Sequence, residues 1–97
     1  MRMKKRELLE LTEETLEEVA ALGYDEIVRR FVDDDYCEVR ELTDALGRPY
    51  TLHIEAWWED EQSRAVHVAV TGNRGRGLGF TGLGSWKVLV PPTESSS

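Results

Sequence analysis

The chain has 97 residues, of which 40% are hydrophobic, and its formal net charge is −7. This length fits one domain and leaves no room for a second independent core, and the hydrophobic content is too high for a disordered chain. No apolar run approaches the roughly 18 residues that cross a membrane, so no membrane association is expected.

The start of the chain and its cysteine content indicate the cellular compartment. Residues 1–11, MRMKKRELLEL, lack the long apolar stretch and the small-residue cleavage site of a secretion signal. Cys37 is the only cysteine, which excludes an internal disulfide, and it is expected to be a buried small hydrophobe rather than a reactive thiol. These features predict a cytoplasmic protein. One cysteine and two histidines make a poor zinc site, and neither a metal nor a cofactor is predicted.

The first half of the chain has the pattern of two helices. Thr12 suits the N-cap of the first helix, because its hydroxyl can accept a hydrogen bond from an amide of the first turn. Leu16 and Val19 then lie on the inward stripe, and Gly23 ends the helix. Whether residues 2–11 are helical stays open.

A second helix follows directly. Its buried face has the spacing of one side of a helix and consists of Tyr24, Ile27, Val28 and Phe31. The three adjacent acids at 33–35 end this helix, because they repel one another and the negative C-terminal end of the helix.

From residue 36 the hydrophobic pattern changes to alternation, which is typical of strands. The predicted strands are 36–42, 50–58, 65–70 and 86–90, with a turn at 44–49 and a polar hairpin loop at 59–63. Two prolines end the last strand, and residues 93–97 form a flexible C-terminal tail. Short hairpins imply antiparallel pairing. The sequence therefore predicts a single α+β domain, 1–92, with two N-terminal helices packed on one face of a four-stranded antiparallel β-meander.

Charge is divided unevenly along the chain. Residues 7–61 hold eighteen acidic residues against four arginines, whereas the charged residues of 62–93 are all basic: Arg64, Arg74, Arg76 and Lys87. The chain as a whole would be repelled by phosphate backbones, and only its last third could attract them.

Residues 71–85 hold six of the eight glycines. Within this segment, 77–82 (Gly-Leu-Gly-Phe-Thr-Gly) has the G-x-G-x-x-G spacing of dinucleotide-binding loops. The residues that follow, 85–88, are typical of a strand, and no βαβ unit surrounds the motif. Because the phosphate site of such loops needs the N-terminus of a helix, dinucleotide binding is excluded.

The same segment carries Arg74, Arg76 and Phe80, which could contact phosphates and stack on a base. These residues support an alternative function, a nucleotide or single-stranded nucleic-acid binder that uses the loop 72–84. Two arginines are few for a nucleic-acid groove. A glycine-rich loop or irregular edge strand kept soluble by its arginines is the simpler interpretation, and whether the loop is ordered stays open.

Three titratable side chains fall on the sheet face opposite the predicted core: His53, Glu55 and His67. If Ile54 pairs with Val68, Glu55 faces His67 directly. A carboxylate beside an imidazole suits general base catalysis, but it is also an ordinary cross-strand pair, and no nucleophile of fixed position joins it. No catalytic residue is assigned.

Trp57 and Trp58 are adjacent, so they must point to opposite faces of a strand. Trp58 continues the core series, whereas Trp57 joins His53 and Glu55 on the other face. An aromatic side chain on a polar sheet face is a common anchor for a partner, and cover by the chain's own loop or N-terminal segment is equally compatible with the sequence.

These features together predict a small non-catalytic protein-interaction or regulatory module of unknown process. The face around Trp57, with the acidic helices, would bind another protein or a second copy in a homodimer. The predicted binding residues are Trp57, His53, Glu55, His67, Arg74, Arg76 and Phe80.

Overall fold

The computed structural model of the chain describes residues 4–74 and 83–92. Its elements are α1 (Lys5–Ala20), α2 (Tyr24–Ile27) with a π-helical continuation (Val28–Asp33), β1 (Glu38–Thr43), β2 (Pro49–Asp60), β3 (Ala65–Arg74) and β4 (Leu83–Leu89). The strands form one antiparallel sheet in the order β1-β2-β3-β4, with α1 packed on β3 and β4 and the π-helical segment on β2. The predicted α+β architecture is confirmed. The predicted tail, 93–97, lies outside the described residues.

Helix α1 begins at Lys5, so the prediction of an N-cap at Thr12 is wrong. The backbone N–H of Lys4 donates to Glu7 Oε1 at 3.1 Å and closes the first turn. Thr12 is fully buried in the middle of the helix, where its hydroxyl donates to the Leu9 carbonyl at 2.7 Å. A threonine can cap a helix or bond back to the preceding turn from within it, and burial against the sheet selects the second role here.

The second helix has the buried face that its spacing predicts, with Ile27, Val28 and Phe31 buried and Tyr24 half-buried. From Val28 the helix widens into the π-helical segment. Asp35 then takes a left-handed backbone conformation, with φ +50°, which aspartate tolerates better than most residues. This conformation turns the chain from the helix towards β1.

No helix within the described ranges is long and apolar enough to cross a membrane.

The predicted pairing of Glu55 with His67 is wrong, because His67 pairs with Trp57 in the sheet. The observed register differs from the expected one by two residues, because β2 continues through the first part of the predicted hairpin loop and Asp60 pairs with Ala65 there. The connection to β3 is therefore shorter than the sequence suggests, and a β-bulge between Trp58 and Asp60 gives β2 one residue more than β3.

Alternation divides the sheet into two faces. The face under the helices carries the buried apolar side chains of the strands, which are Tyr50, Leu52, Ile54, Ala56, Val66, Val68 and Val70. The opposite face is called the outer face. It carries Val39, Glu41 and Thr43 of β1, Thr51, His53, Glu55, Trp57 and Glu59 of β2, His67, Ala69, Thr71 and Asn73 of β3, and Gly84, Trp86 and Val88 of β4.

Helix α1 lies close to the sheet because Gly72 of β3 has no side chain. A Cβ at this position would lie 3.0 Å from Leu8 Cδ1 and 3.0 Å from Thr12 Cγ2. The Thr12 hydroxyl also lies 2.9 Å from Ser85 Oγ of β4. Since the Thr12 proton goes to the Leu9 carbonyl, Ser85 is the donor in this bond. The glycine and the hydroxyl pair together seat α1 on β3 and β4.

Arg48 connects the start of α1 to the turn between β1 and β2. Its buried guanidinium donates to Asp44 Oδ2 at 2.7 Å and to Glu7 Oε2 at 2.8 Å. The hydrogen bond from Arg48 is the main reason that the pKa of Glu7 lies below its ordinary value. The turn is thereby held against the first turn of the helix.

We expect Gly72→Ala to lower the free energy of unfolding by about 1–3 kcal/mol, because the new methyl group overlaps Leu8 and Thr12 and pushes α1 away from the sheet. Urea denaturation followed by circular dichroism measures this change. Thr12→Ser supplies the control, since it removes Cγ2 and keeps the hydroxyl. Gly72→Ala should cost less in the Thr12→Ser background, and equal costs in both backgrounds would contradict the contact with Thr12 as the cause.

Candidate interaction surface on the outer face of the sheet

Three aromatic rings stack across neighbouring strands on the outer face. Trp57 and His67 are cross-strand partners, and their ring centroids lie 4.5 Å apart with the planes 11° from parallel. Trp86 of β4 stacks with the same imidazole at 5.1 Å and 20°. Stacked aromatic pairs contribute roughly 0.5–1.5 kcal/mol each beyond the area that they bury. His67 thus joins the tryptophans of β2 and β4 into one aromatic ladder (Trp57, His67 and Trp86).

The aromatic ladder is open to solvent. Trp86 is 63% exposed and Trp57 is 41% exposed, which is unusual for the largest apolar side chains. Val88, the cross-strand partner of His67, is also exposed and extends the apolar surface along β4. Val39 of β1 is exposed on the same face, opposite His53. An exposed apolar surface such as that of the aromatic ladder and Val88 is typical of a site that contacts another molecule.

The carboxylate partner of His67 is Glu59. His67 Nδ1 lies 3.0 Å from Glu59 Oε1. The sequence places Glu59 in the hairpin loop, but the β-bulge keeps it in β2 and brings it to the imidazole. A hydrogen bond therefore holds the edge of the imidazole while the indole rings pack against its faces, so His67 is fixed as a member of the aromatic ladder.

The contact of the Glu55 side chain is with Cys37, the residue before β1, and not with His67 as expected. The thiol donates to Glu55 Oε2 at 3.6 Å. The expectation that Cys37 is buried is wrong, since the residue is exposed where the chain enters the sheet. Loss of water around Sγ, followed by the charge of Glu55 and its hydrogen bond, nevertheless raises the pKa of Cys37 above its ordinary value. A thiol of this kind is a weak nucleophile at neutral pH.

We expect Glu55→Gln to make Cys37 react several times faster with iodoacetamide at neutral pH. The substitution removes the negative charge that opposes the thiolate, so the raised pKa of Cys37 falls and the thiolate fraction rises. The rate of alkylation as a function of pH, followed by mass spectrometry, measures the change. Glu41→Gln removes a charge from the same face on β1 and should leave the rate unchanged. A rate that Glu55→Gln does not alter would show that the loss of water around Sγ, and not the charge of Glu55, raises the pKa of Cys37.

The outer face is acidic around its exposed tryptophans. Its described charged residues are Glu41, Glu55 and Glu59, and none of its described positions is lysine or arginine. His53 lies on the same face, half-buried between Val39 and Thr71. The surface therefore combines apolar rings with negative charge.

The structure brings only some of the predicted binding residues together. Trp57 and His67 lie in the aromatic ladder, and His53 and Glu55 share its face. Arg74 pairs with Tyr50 at the end of β3, on the helix side of the sheet, so it does not belong to this surface. Arg76 and Phe80 lie outside the described residues.

Sequence reasoning misses Trp86, the most exposed member of the aromatic ladder. The alternation of Trp86, Lys87 and Val88 is visible in the sequence, but it is compatible with either face of the sheet. The pairing of Trp86 with Ala69 decides the question. The available signal is that Trp86 and Val88 share one face of β4, which indicates an apolar pair on one side of the strand but does not indicate which side.

Helix α1 presents a separate acidic surface. Glu10, Glu13, Glu14 and Glu17 line a shallow depression of about 430 Å³ on its exposed side. Within residues 4–74 and 83–92, no group of three or more histidine, cysteine, aspartate or glutamate side chains is placed to hold a metal ion.

The outer face must be interpreted from its own geometry and charge. Comparison of the chain with protein-family models, with curated proteins and with solved structures finds no match.

Proposed function

We propose that the chain is a small non-catalytic interaction module that binds another protein through the outer face of its sheet. The observation that carries this proposal is the aromatic ladder, whose rings are stacked in fixed positions while Trp86 remains 63% exposed. Rings that are already ordered lose little conformational freedom on binding, and tryptophan is the residue type most enriched among interface anchors.

The shape of the surface favours a protein as the partner. The aromatic ladder spans β2, β3 and β4, and Val88 widens the apolar area beside His67 on the same face. Small-molecule sites are usually concave, whereas a sheet face is broad and open. The cytoplasm is the compartment that we propose, since a lone free thiol such as Cys37 is compatible with reducing conditions.

A different protein fits this face better than a second copy of the chain. In a face-to-face homodimer, Glu41, Glu55 and Glu59 of both copies would be brought together without a described lysine or arginine to balance them. Like charges brought together at an interface disfavour association. The same charges oppose the alternative of nucleic-acid binding on this face, because phosphates would meet carboxylates.

The role of His67 in this proposal is positional. Its imidazole is stacked with both tryptophans and bonded to Glu59, so it keeps the rings at their mutual distances. No reaction is proposed for His67 and Glu59.

Photo-crosslinking in cells that naturally express the chain tests the function. With p-benzoylphenylalanine in place of Val88, on the outer face beside the aromatic ladder, we expect a discrete covalent adduct with another protein. The same photoreactive residue in place of Glu14, on the exposed side of α1, should give no such adduct. A result in which both positions behave alike would contradict the outer face as the binding surface, and an adduct of twice the chain mass would identify a homodimer instead.

Trp86→Ser, combined with the photoreactive residue at Val88, controls for specificity. Because Trp86 is largely exposed, we expect its loss to cost only about 1 kcal/mol of stability, so the domain stays folded. The adduct should nevertheless be lost. Circular dichroism of the purified variant separates lost binding from lost folding.

A further inference from the structure

A pocket of about 270 Å³ opens beside the aromatic ladder, on the β1 side of Trp57. Its buried apolar lining residues are Phe31 and Ala56, and Asp35, Tyr36, Glu55 and Trp57 also line it. Cys37 completes the lining. The volume lies below the roughly 300–1,000 Å³ of typical small-molecule sites, so it suits a single side chain better than a cofactor.

The pocket exists because β1 begins late. The first pair between β1 and β2 is Glu38 with Ile54, so within the described residues no strand covers the edge of β2 beyond Ile54 on that side. The segment that links the helix to β1 crosses there instead, and the left-handed conformation of Asp35 sets its direction. The edge of β2 is thereby left open next to Trp57.

Two aromatic side chains border the pocket, and both are accessible. Tyr36 is 50% exposed and Trp57 is 41% exposed. The position of Tyr36 is fixed from two sides, since its backbone N–H donates to the Phe31 carbonyl at 3.1 Å and its ring lies 6.1 Å from the Phe31 ring. Trp57 is fixed by its stacking with His67. The rings are therefore ordered before anything binds.

The described lining of the pocket carries charge of a single sign. Its charged side chains are Asp35 and Glu55, and none of the described lining residues is lysine or arginine. The Glu55 carboxylate is already directed at this site, because the Cys37 thiol donates to it. Exposed aromatic rings next to carboxylates attract a cation, and a planar guanidinium can stack on a ring while it donates to a carboxylate. The chain makes one such contact itself, with the Arg64 guanidinium 4.5 Å from the centre of the Trp58 ring.

We propose that this pocket binds an arginine side chain of the protein partner, with the guanidinium stacked between Tyr36 and Trp57 and hydrogen-bonded to Glu55. This inference rests on the proposed function and names the chemistry of its partner. The pocket and the aromatic ladder share Trp57, so an arginine seated in the pocket places the rest of the partner over Trp57, His67 and Trp86. The negative charge of the outer face then complements a basic partner.

Titration of the isotopically labelled protein with the peptide acetyl-Gly-Gly-Arg-Gly-Gly-amide, followed by NMR, tests the proposal. We expect saturable shifts of the Trp57 indole and of the backbone amides at 35–37 and 55–57. The matched peptide with citrulline in place of arginine has nearly the same shape without the charge, and it should bind at least about tenfold more weakly.

Two variants assign the contact. Glu55→Gln should weaken binding of the arginine peptide by about tenfold, because the charged acceptor is lost. Glu41→Gln, which removes a charge from the same face outside the pocket, should leave the affinity unchanged. Equal binding of both peptides, shifts confined to the acidic side of α1, or no shift at all would overturn the proposal.

The failure of this proposal and the failure of the proposed function are distinguishable. The photoreactive residue at Val88 reports any partner on the outer face, whether or not that partner carries an arginine. If an adduct forms at Val88 but the arginine peptide does not bind, the proposed function is supported and the arginine site is rejected. If the peptide binds saturably but no adduct forms, the arginine site is supported and the proposed function is rejected.

Discussion

The pairing register of β2 with β3, and therefore the face on which each side chain of these strands lies, depends on the β-bulge between Trp58 and Asp60. In an antiparallel pair, a register change of one residue turns every side chain of a strand to the other face. The extra residue in β2 offsets the short connection to β3, so that Val66 and Val68 face the helices and His67 faces outward. The same extra residue in β2 places His67 opposite Trp57. One local irregularity therefore fixes both the packing of the core and the formation of the aromatic ladder.

The two faces of the sheet have different physical roles. The face under the helices carries the buried core, because Gly72 allows α1 to pack closely on the sheet and the valines of β3 lie beneath the helix. Burial on that face supplies the main stabilisation of the fold. The outer face contributes less to stability, so its exposed side chains can be used for recognition. Trp57 and Trp86 remain accessible there because the helices cover only the opposite side.

Local periodicity predicts much of this fold from the sequence. Alternation predicts the strands, and it correctly places Trp57 on the face opposite the core. Pairing is not local, since it depends on the bulge and on the length of the connections; for this reason the contact of His67 with Glu59 and the position of Trp86 are not predictable from the pattern. Thr12 shows a similar limit, because only tertiary packing distinguishes a capping threonine from a buried one. The aromatic and acidic character of the site is visible in the sequence, whereas its assembly is not.

The hydrogen bond between Thr12 and Ser85 joins residues 73 positions apart. A ribosome adds roughly 5–20 residues per second, so several seconds pass between the synthesis of these two partners. During that interval α1 lacks the strand that completes its binding groove on the sheet. Contacts of such long sequence separation also slow folding, because a long loop must close before they form. The nascent chain can therefore pair β2 with β3 early, whereas α1, although it is synthesised before these strands, docks fully only after β4 has been made.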